Sequence, residues 1–241
     1  MGEVTGRGGA PDSPASVHAA AQVFVEDLTS CIPSADDFHH LSRVLRLRPG
    51  EVVVACDGRG SWRQCAFTGV SQALEPTGDL RYVPRAELAV TVGFTPVKGD
   101  RPEWVVQKLT EVGVDRIVVT RSRRSVVVWE GDRAERNVEH LSKVATHAAA
   151  QSRRAWLPSV EGVLAIADWV RTEPLALAQR GGGPLVLGRP VCIGPEGGWS
   201  DEELRAPSLQ VGLGDAVLRS ETAAVVAGAL ICALREHRFS Q

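Results

Sequence analysis

Short apolar segments separated by turn residues characterise the first third of the chain and are typical of β-strands. Residues 51–56 (EVVVAC) predict a strand, residues 57–60 a glycine-containing turn, and residues 61–70 a returning strand. Before them, residues 36–47 show apolar positions at helical spacing that stop at a Pro-Gly pair. We therefore predict a small β-barrel-like module that ends near Pro84.

Strand-like and helix-like segments alternate in the rest of the chain. The predicted strands are residues 87–94, 116–120, 175–178, 191–194 and 209–213, and the predicted helices are residues 102–113, 132–152, 163–170 and 221–236. Such alternation is typical of βαβ units and predicts a mainly parallel α/β sheet. The predicted domains are thus a β-rich module over residues 21–84 and an α/β domain over residues 85–241. Residues 1–20 are rich in Gly, Pro, Ser and Ala, and we expect a disordered extension there.

With 241 residues and 44% hydrophobic content, the chain can form one large or two small domains with buried cores. No apolar run approaches the roughly 18–20 residues of a membrane span, and the N-terminus lacks the pattern of a signal peptide. We therefore expect a cytoplasmic protein with no membrane partner. The five cysteines are odd in number and include no C-x-x-C pair, so we expect neither a disulfide framework nor a metal site.

The net charge is only −2, but the basic residues are unevenly distributed. All of the 27 basic residues except Lys98, Lys108 and Lys143 are arginines, and several are clustered. GC-rich codon usage would account for the number of arginines but not for the clusters. Because arginine suits bidentate contacts with phosphates, the clusters indicate contacts with nucleic acid. The candidate contacts are Arg43, Arg46, Arg121, Arg123, Arg124, Arg153 and Arg154.

The most specific motif is CIGPEGGWSDEEL at residues 192–204, where a strand leads into a Gly-Pro-Glu-Gly-Gly loop and then a helix. Ser200 and Glu203 fit a capping box at the start of that helix. A phosphate site is disfavoured because the loop lacks a G-K-[ST] ending and acidic residues crowd the helix start. A ligand with a cationic centre, such as the sulfonium of S-adenosylmethionine, fits better. The alternative interpretation is an ordinary turn before a well-capped helix.

A second motif, VGLGDAVLRSETAA at residues 211–224, connects the last predicted strand to the last helix. We expect Ser220 to cap that helix, with Glu221 and Thr222 in its first turn. Helix capping alone would explain these residues. Arg219 is harder to explain by capping, because an arginine near an apolar pocket is costly without an anionic partner.

A third segment, residues 96–107, follows the first strand of the α/β domain and carries Lys98, Arg101, Glu103 and Gln107. Ligands of open parallel sheets bind beyond the carboxyl ends of the strands, where all three motifs lie. A solvated loop is the alternative for each of these side chains taken singly.

Together, these motifs resemble the RsmE family, the small-subunit rRNA (uracil-N3)-methyltransferases of the SPOUT superfamily. The resemblance rests on IGPEGG (193–198) followed by WSDEE, LG-x-x-VLR-x-ETA (213–223), KGDRPEWVVQKLTEVGVDRIVV (98–119), AAAQSRRAWLP (148–158) and HHLSRVLRLRPGE (39–51). It extends from about residue 23 to the end of the chain.

The resemblance implies a PUA-like β-barrel that helps to hold RNA, followed by an α/β domain with a trefoil knot. It also implies a homodimer that uses S-adenosylmethionine to methylate N3 of a specific uridine in 16S ribosomal RNA, free or in the assembled small subunit. Carried over to this sequence, the expected cofactor contacts are Leu177, Ile193, Gly194, Pro195, Glu196, Gly197, Gly198, Leu213, Gly214, Leu218 and Thr222.

For the reaction, we expect Arg219 to stabilise the imide anion of uracil and Glu221 to accept its proton, with Glu196 as the second choice for acceptor. Two other functions stay open at this point. One is a SPOUT methyltransferase that modifies a ribose 2′-oxygen or a guanine, and the other is an RNA-binding protein without catalysis.

Overall fold

The computed structural model describes residues 13–99, 101–206 and 208–236. Residues 1–12 of the predicted extension lie outside the described residues, and the remainder of it contains a 3-10 turn, Pro14–Ser16. The chain forms two compact units. One runs to Arg85 and also includes Ala149–Leu157, while the other comprises Ala86–Ala148 and the chain from Pro158 onward. Our domain boundaries had placed Ala149–Leu157 in the second domain.

The first unit is built on a five-stranded sheet. Its strands are β1 (Ala21–Phe24), β2 (Val52–Cys56), β3 (Ser61–Ala66), β4 (Glu75–Pro76) and β5 (Arg81–Tyr82). Strand β1 pairs in parallel with β2, β2 pairs with β3 in antiparallel orientation, and β3 also pairs with β4 and β5. β2 is buried on both faces, which explains its unbroken apolar sequence.

The segment Ala149–Leu157 belongs to this unit because it covers one face of the sheet. Ala155 is buried in one cluster with Val54 and Trp62. The indole N–H of Trp156 donates to the carbonyl of Val83 at 2.8 Å. The sequence pattern around these residues is that of a helix end, so it could not indicate which sheet they cover.

The predicted helix over residues 36–47 is shorter and less regular in the structure. Helix α1 (Ala35–His39) begins at Ser34, whose hydroxyl accepts a hydrogen bond from the N–H of Asp37 at 3.0 Å. The chain then continues as a π-helical turn, His40–Val44, and leaves helical geometry where Arg46 adopts a left-handed φ of 54°.

The second unit has a six-stranded, fully parallel sheet, which confirms the predicted α/β architecture. Its strand order is β11-β9-β10-β6-β7-β8. The strands are β6 (Thr91–Phe94), β7 (Arg116–Arg121), β8 (Ser159–Ala165), β9 (Ala176–Gly183), β10 (Val191–Ile193) and β11 (Leu209–Val211). The helices are α2 (Arg101–Glu111), α3 (Gly131–Gln151), α4 (Ile166–Trp169), α5 (Asp201–Arg205) and α6 (Ser220–Arg235).

Apolar clusters form on both sides of this sheet. One contains residues of α2, α3 and α6, and the other contains Trp169 and Trp199. Helix α6 approaches α2 closely at Gly228, where a Cβ atom would lie 2.7 Å from a methyl group of Leu109. Because β9 lies between β10 and β11, the chain passes around β9 before α6 returns to pack against β6, β10 and α2. The trefoil knot stays a prediction.

The predicted helix over residues 163–170 is wrong in its first part. Residues 159–165 form the edge strand β8, and only Ile166–Trp169 is helical. Pairing with β7 outweighs the local pattern, and Arg116 of β7 supports it by forming ion pairs with Glu161 at 2.7 Å and Glu173 at 2.8 Å. None of the helices described for this chain is long and apolar enough to cross a membrane.

Candidate active site

A cavity of about 400 Å³ lies beside β9 and at the carboxyl end of β10. Most of its wall comes from three segments: residues 178–180 of β9, most of residues 193–199 at the end of β10 and in the loop after it, and most of residues 213–220 at the start of α6 and before it. Two of these segments are the GPEGG loop and the VLRSET loop predicted as ligand-binding motifs. The volume lies within the range of small-molecule binding sites, roughly 300–1,000 Å³.

The GPEGG loop is held in place by contacts with β9 and α6. The indole N–H of Trp199 donates to the carbonyl of Ala178 at 2.9 Å, and the hydroxyl of Ser220 donates to the carbonyl of Gly194 at 2.9 Å. A Cβ atom on Gly194 would lie 3.0 Å from the Trp199 ring, so a side chain there would displace the indole. The loop therefore presents its main chain to the cavity in a fixed arrangement.

Glu203 anchors the helix that follows this loop. The predicted capping box is confirmed, since the Ser200 hydroxyl accepts from the N–H of Glu203 while the Glu203 carboxylate accepts from the N–H of Ser200 at 2.8 Å. The same carboxylate accepts from the Ser122 hydroxyl at 3.2 Å and from the N–H of Arg123 at 3.0 Å. Burial by itself raises the pKa of Glu203, but these hydrogen bonds outweigh it and hold the pKa below its ordinary value.

Arg219 lies in the wall of the cavity and occupies the N-cap position of α6. Its side chain is exposed and forms no hydrogen bond or ion pair within the described parts of the chain. The predicted capping role of Ser220 is wrong. Ser220 is the first residue of the helix, and its hydroxyl bonds to Gly194 in the GPEGG loop instead.

The two candidate proton acceptors differ in their access to the cavity. Glu196 lines the cavity and is 66% exposed, whereas Glu221 is 13% exposed and lies outside the lining. Both approach Arg101, whose Nη1 is 3.6 Å from Glu196 Oε1 and 3.7 Å from Glu221 Oε1. The Oε2 atom of Glu221 is buried and has no hydrogen-bond partner in the described structure. Arg101 thus lies between the two carboxylates.

Most of the predicted cofactor contacts line the cavity. The predicted residues in its wall are Ile193, Gly194, Pro195, Glu196, Gly198, Leu213, Gly214 and Leu218. Three others do not line it: Leu177 is buried in β9 next to Ala178, and Gly197 and Thr222 are exposed beside the lining residues.

The sequence-based prediction missed the contribution of β9 and of Trp199. Gln179 and Arg180 line the cavity but carry no motif, so only the pairing of β9 with β10 identifies them. Trp199 directly follows the two glycines of the predicted loop. Its position beside that loop was the one signal that could have identified it.

The predicted RNA-contacting arginines of the second unit differ in their partners, and in the described structure only Arg124 contacts the GPEGG loop. Arg121 and Arg123 form exposed ion pairs with Glu130 at 2.9 Å and Glu202 at 2.8 Å. The guanidinium of Arg124 donates to the carbonyl of Gly197 at 3.1 Å. These contacts leave the predicted phosphate contacts untested.

The predicted arginines of the first unit differ in exposure. Arg43 and Arg46 are exposed, whereas Arg153 and Arg154 are half-buried. The Arg153 side chain donates to the carbonyl of Ala19 at 2.7 Å, and burial lowers its pKa. Arg153 therefore has a hydrogen-bond partner within its own unit. The contact of Arg153 with an RNA phosphate stays a prediction.

The cysteines show no features of a reactive or metal-binding site. All five are free and buried. Burial raises the pKa of Cys65 to about 12 and also raises those of Cys56 and Cys192, which disfavours the reactive thiolate. Within the described residues, no group of three His, Cys, Asp or Glu side chains is arranged to hold a metal ion.

Known proteins with similar sequences share both units. Residues 84–232 match the family described as RNA methyltransferase domain, and residues 33–72 match the RNA methyltransferase PUA domain. The ribosomal RNA small subunit methyltransferase E of Mycobacterium bovis is 33% identical over 222 residues, which cover 81% of this chain and 83% of that protein. The protein of the same name from Bacillus subtilis is 27% identical over 232 residues, covering 84% of this chain and 90% of its own.

Solved structures show the same fold. A putative methyltransferase from Legionella pneumophila, in complex with bound SAM, has a TM-score of 0.76 at 24% identity and covers 90% of this chain and 98% of its own. A ribosomal RNA small subunit methyltransferase E from Neisseria gonorrhoeae, bound to S-adenosyl methionine, has a TM-score of 0.74 at 23% identity with the same coverage. These similarities establish the architecture of a PUA unit followed by an α/β methyltransferase unit.

Proposed function

Because the chain belongs to the ribosomal RNA small subunit methyltransferase E family, we propose that it methylates N3 of a uracil base in small-subunit ribosomal RNA, with S-adenosylmethionine as the methyl donor. The observation that carries this proposal is the cavity between the GPEGG and VLRSET loops, with Arg219 in its wall. A pure RNA-binding protein would have no use for a cavity of this size between two such loops. Methylation of a ribose or a guanine is the alternative that the experiment below tests.

The residues of the cavity fit S-adenosylmethionine. Its wall combines apolar side chains, including Ile193, Leu213 and Leu218, with the main chain of a glycine-rich loop. The wall also carries the Glu196 carboxylate, which suits a cationic sulfonium, and the guanidiniums of Arg180 and Arg219, which suit anionic groups of the cofactor and the substrate. When bound, the cofactor supplies a methyl group made electrophilic by its sulfonium. We propose that the eight predicted residues in the wall hold it.

Arg219 is proposed to stabilise the uracil. The N3 atom of a neutral uracil carries a proton and is a poor nucleophile, so transfer requires that negative charge develop on the ring and its two carbonyl oxygens. A guanidinium placed beforehand beside these oxygens stabilises that charge without reorganisation during the reaction. Holding N3 in line with the methyl group supplies a further part of the acceleration.

Glu196 is the better placed of the two candidate proton acceptors, because it lines the cavity and Glu221 does not. We expect Glu196→Gln to lower kcat by about 100-fold at saturating S-adenosylmethionine, and also to weaken cofactor binding, because Glu196 is one of the residues proposed to hold the cofactor. Glu221→Gln should lower kcat less than tenfold, since Glu221 acts on the site only through Arg101. Single-turnover rates measure both variants. A larger loss for a folded Glu221→Gln variant than for Glu196→Gln would assign the proton to Glu221 instead.

The proposed function also includes the oligomeric state of the protein, its location in the cell and its RNA substrate. We propose that the protein acts as a homodimer in the cytoplasm on ribosomal RNA, which the arginine clusters contact through phosphates. Exposed Trp104 on α2 is the kind of aromatic side chain that subunit interfaces cover. Sedimentation of the purified protein would test the dimer directly.

The test of the reaction is nucleoside mass spectrometry. Small ribosomal subunits from cells that lack the modification are incubated with the protein and S-adenosylmethionine, and their RNA is digested to nucleosides. We expect 3-methyluridine to appear. Another methylated nucleoside would keep the fold and cofactor but exclude the uracil target. No transfer, where a known family member is active, would favour an RNA-binding protein without catalysis.

A further inference from the structure

A second cavity, of about 300 Å³, lies in the same unit, between the chain that follows β6 and helix α3. Its lining includes Lys98, Trp129, Arg133, Asn137 and His140. None of these belongs to the arginine clusters or to the GPEGG and VLRSET loops, and only Lys98 comes from a motif singled out in the sequence. The lining thus combines two cations, an aromatic ring, an amide and an imidazole, and it also includes the carboxylate of Glu103.

A third cavity has lining residues in common with both this second cavity and the active site. This third cavity, also of about 300 Å³, shares Pro195 and Glu196 with the cofactor cavity. It shares Val97, Lys98 and Val127 with the second cavity. The three cavities therefore adjoin one another through shared lining residues, so a strand that places one nucleotide beside the GPEGG loop can extend along this surface towards the second cavity.

The charge of the second cavity favours an anion. Its carboxylate, Glu103, is engaged by His140, whose Nε2 is 3.1 Å from Glu103 Oε1. Lys98 and Arg133 form no ion pair within the described residues. Both cations are exposed, and an arginine fork is suited to phosphate oxygens.

The other side chains suit a nucleobase. Trp129 is half-buried and packs against the apolar core, which fixes its ring at the wall of the cavity. Base stacking on aromatic rings is a common means of holding unpaired nucleotides. The amide of Asn137 can both donate to and accept from the edge of a base.

We propose that this second cavity, defined by Lys98, Trp129, Arg133 and Asn137, binds a nucleotide that flanks the methylated uridine. Its base stacks on Trp129, and its phosphate contacts Arg133 and Lys98. The proposal rests on the proposed function, because it takes the RNA strand in the cofactor cavity as its starting point. It adds a site that positions the target through a neighbouring nucleotide.

The test measures binding rather than methyl transfer, so that its failure differs from a failure of the proposed function. Dye-labelled protein is titrated with unmodified small ribosomal subunits without S-adenosylmethionine, and anisotropy gives the Kd. Arg133→Ala should raise the Kd about five- to tenfold and reduce the slope of log Kd against log salt by about 0.7–0.9. Trp129→Leu should raise the Kd about tenfold without changing that slope. Arg136→Ala, an exposed arginine on the same helix outside the cavity, is the matched control and should change the Kd less than twofold.

Three outcomes would overturn the proposal. The first is an unchanged Kd for both cavity variants. The second is an equal loss of affinity in Arg133→Ala and Arg136→Ala, which would indicate unspecific attraction between positive charge and RNA. The third is an Arg133→Ala variant that dissociates into monomers without weaker RNA binding, which would assign the cavity to an interface between two copies.

Because Trp129 packs against the core, the circular dichroism of Trp129→Leu must match that of the parent protein. Arg133→Ala tests the cavity independently of that packing. If the Kd values of the cavity variants change as expected but no 3-methyluridine forms in the methylation assay, the proposed reaction is contradicted and the nucleotide site is not.

Discussion

Arg219→Ala is expected to lower the rate of methyl transfer by about 100- to 1,000-fold, the range seen when one preorganised charge-stabilising group is removed. The guanidinium lies in the wall of the cavity and has no partner within the described residues, so its charge is available to the substrate. Binding of S-adenosylmethionine should change little, because the cofactor carries its own positive charge. Single-turnover kinetics and calorimetry measure the two effects separately.

Arg180→Ala is the matched control for this prediction. Arg180 also lines the cavity but comes from β9, outside the VLRSET loop, so its removal should lower the rate less than tenfold. Arg219→Lys should recover part of the lost rate, because it restores the charge without the planar fork. Equal losses in Arg219→Ala and Arg180→Ala would mean that the cavity needs positive charge in general. An unchanged rate in Arg219→Ala would remove Arg219 from the mechanism.

The parts of the fold and the site that could be predicted are those that depend on residues close together in the sequence. The GPEGG loop and the capping box of α5 depend on residues that are close in sequence, and both lie where the sequence placed them. The buried strand β2 is also local, since its unbroken apolar run requires burial on both faces.

The parts that could not be predicted depend on contacts between distant residues. Residues 163–165 have the spacing of a helix, but pairing with β7 makes them part of a strand. Ser220 has the residue type of a cap, yet its hydroxyl reaches Gly194, 26 positions earlier. The site follows the same rule, because Gln179 and Arg180 become its wall only through the pairing of β9 with β10.

Contact between distant residues also changes the interpretation of the catalytic glutamates. From the sequence, Glu221 is the first choice for the proton acceptor and lies two positions after Arg219 in the same motif. In the structure, Glu221 points to Arg101 and not into the cavity wall, while Glu196 from the other loop lines the cavity. Closeness in sequence at the start of a helix therefore does not place the side chains of Arg219 and Glu221 on the same surface.

Glu203→Ala should have the largest effect on stability, about 3 kcal/mol in the free energy of unfolding. The buried carboxylate accepts hydrogen bonds from Ser122, Arg123 and Ser200, and removing it leaves those donors without their partner. Because Glu203 joins the chain after β7 to the helix after the GPEGG loop, S-adenosylmethionine should also bind more weakly. Glu202→Gln is the matched control, since its exposed pair with Arg123 should contribute less than about 1 kcal/mol.

The pH dependence of this effect identifies its cause. Since the pKa of Glu203 is lowered in the folded protein, the ionised carboxylate stabilises the fold above the ordinary glutamate pKa of about 4.3. That stabilisation is lost as the pH falls through the lower, folded pKa. The difference in unfolding free energy between the parent and Glu203→Gln should therefore be largest near pH 7 and shrink as the pH falls below about 4. Chemical denaturation at both pH values measures it. A difference that stays constant over this range would show that Glu203 stabilises the loop by packing and not by its charge.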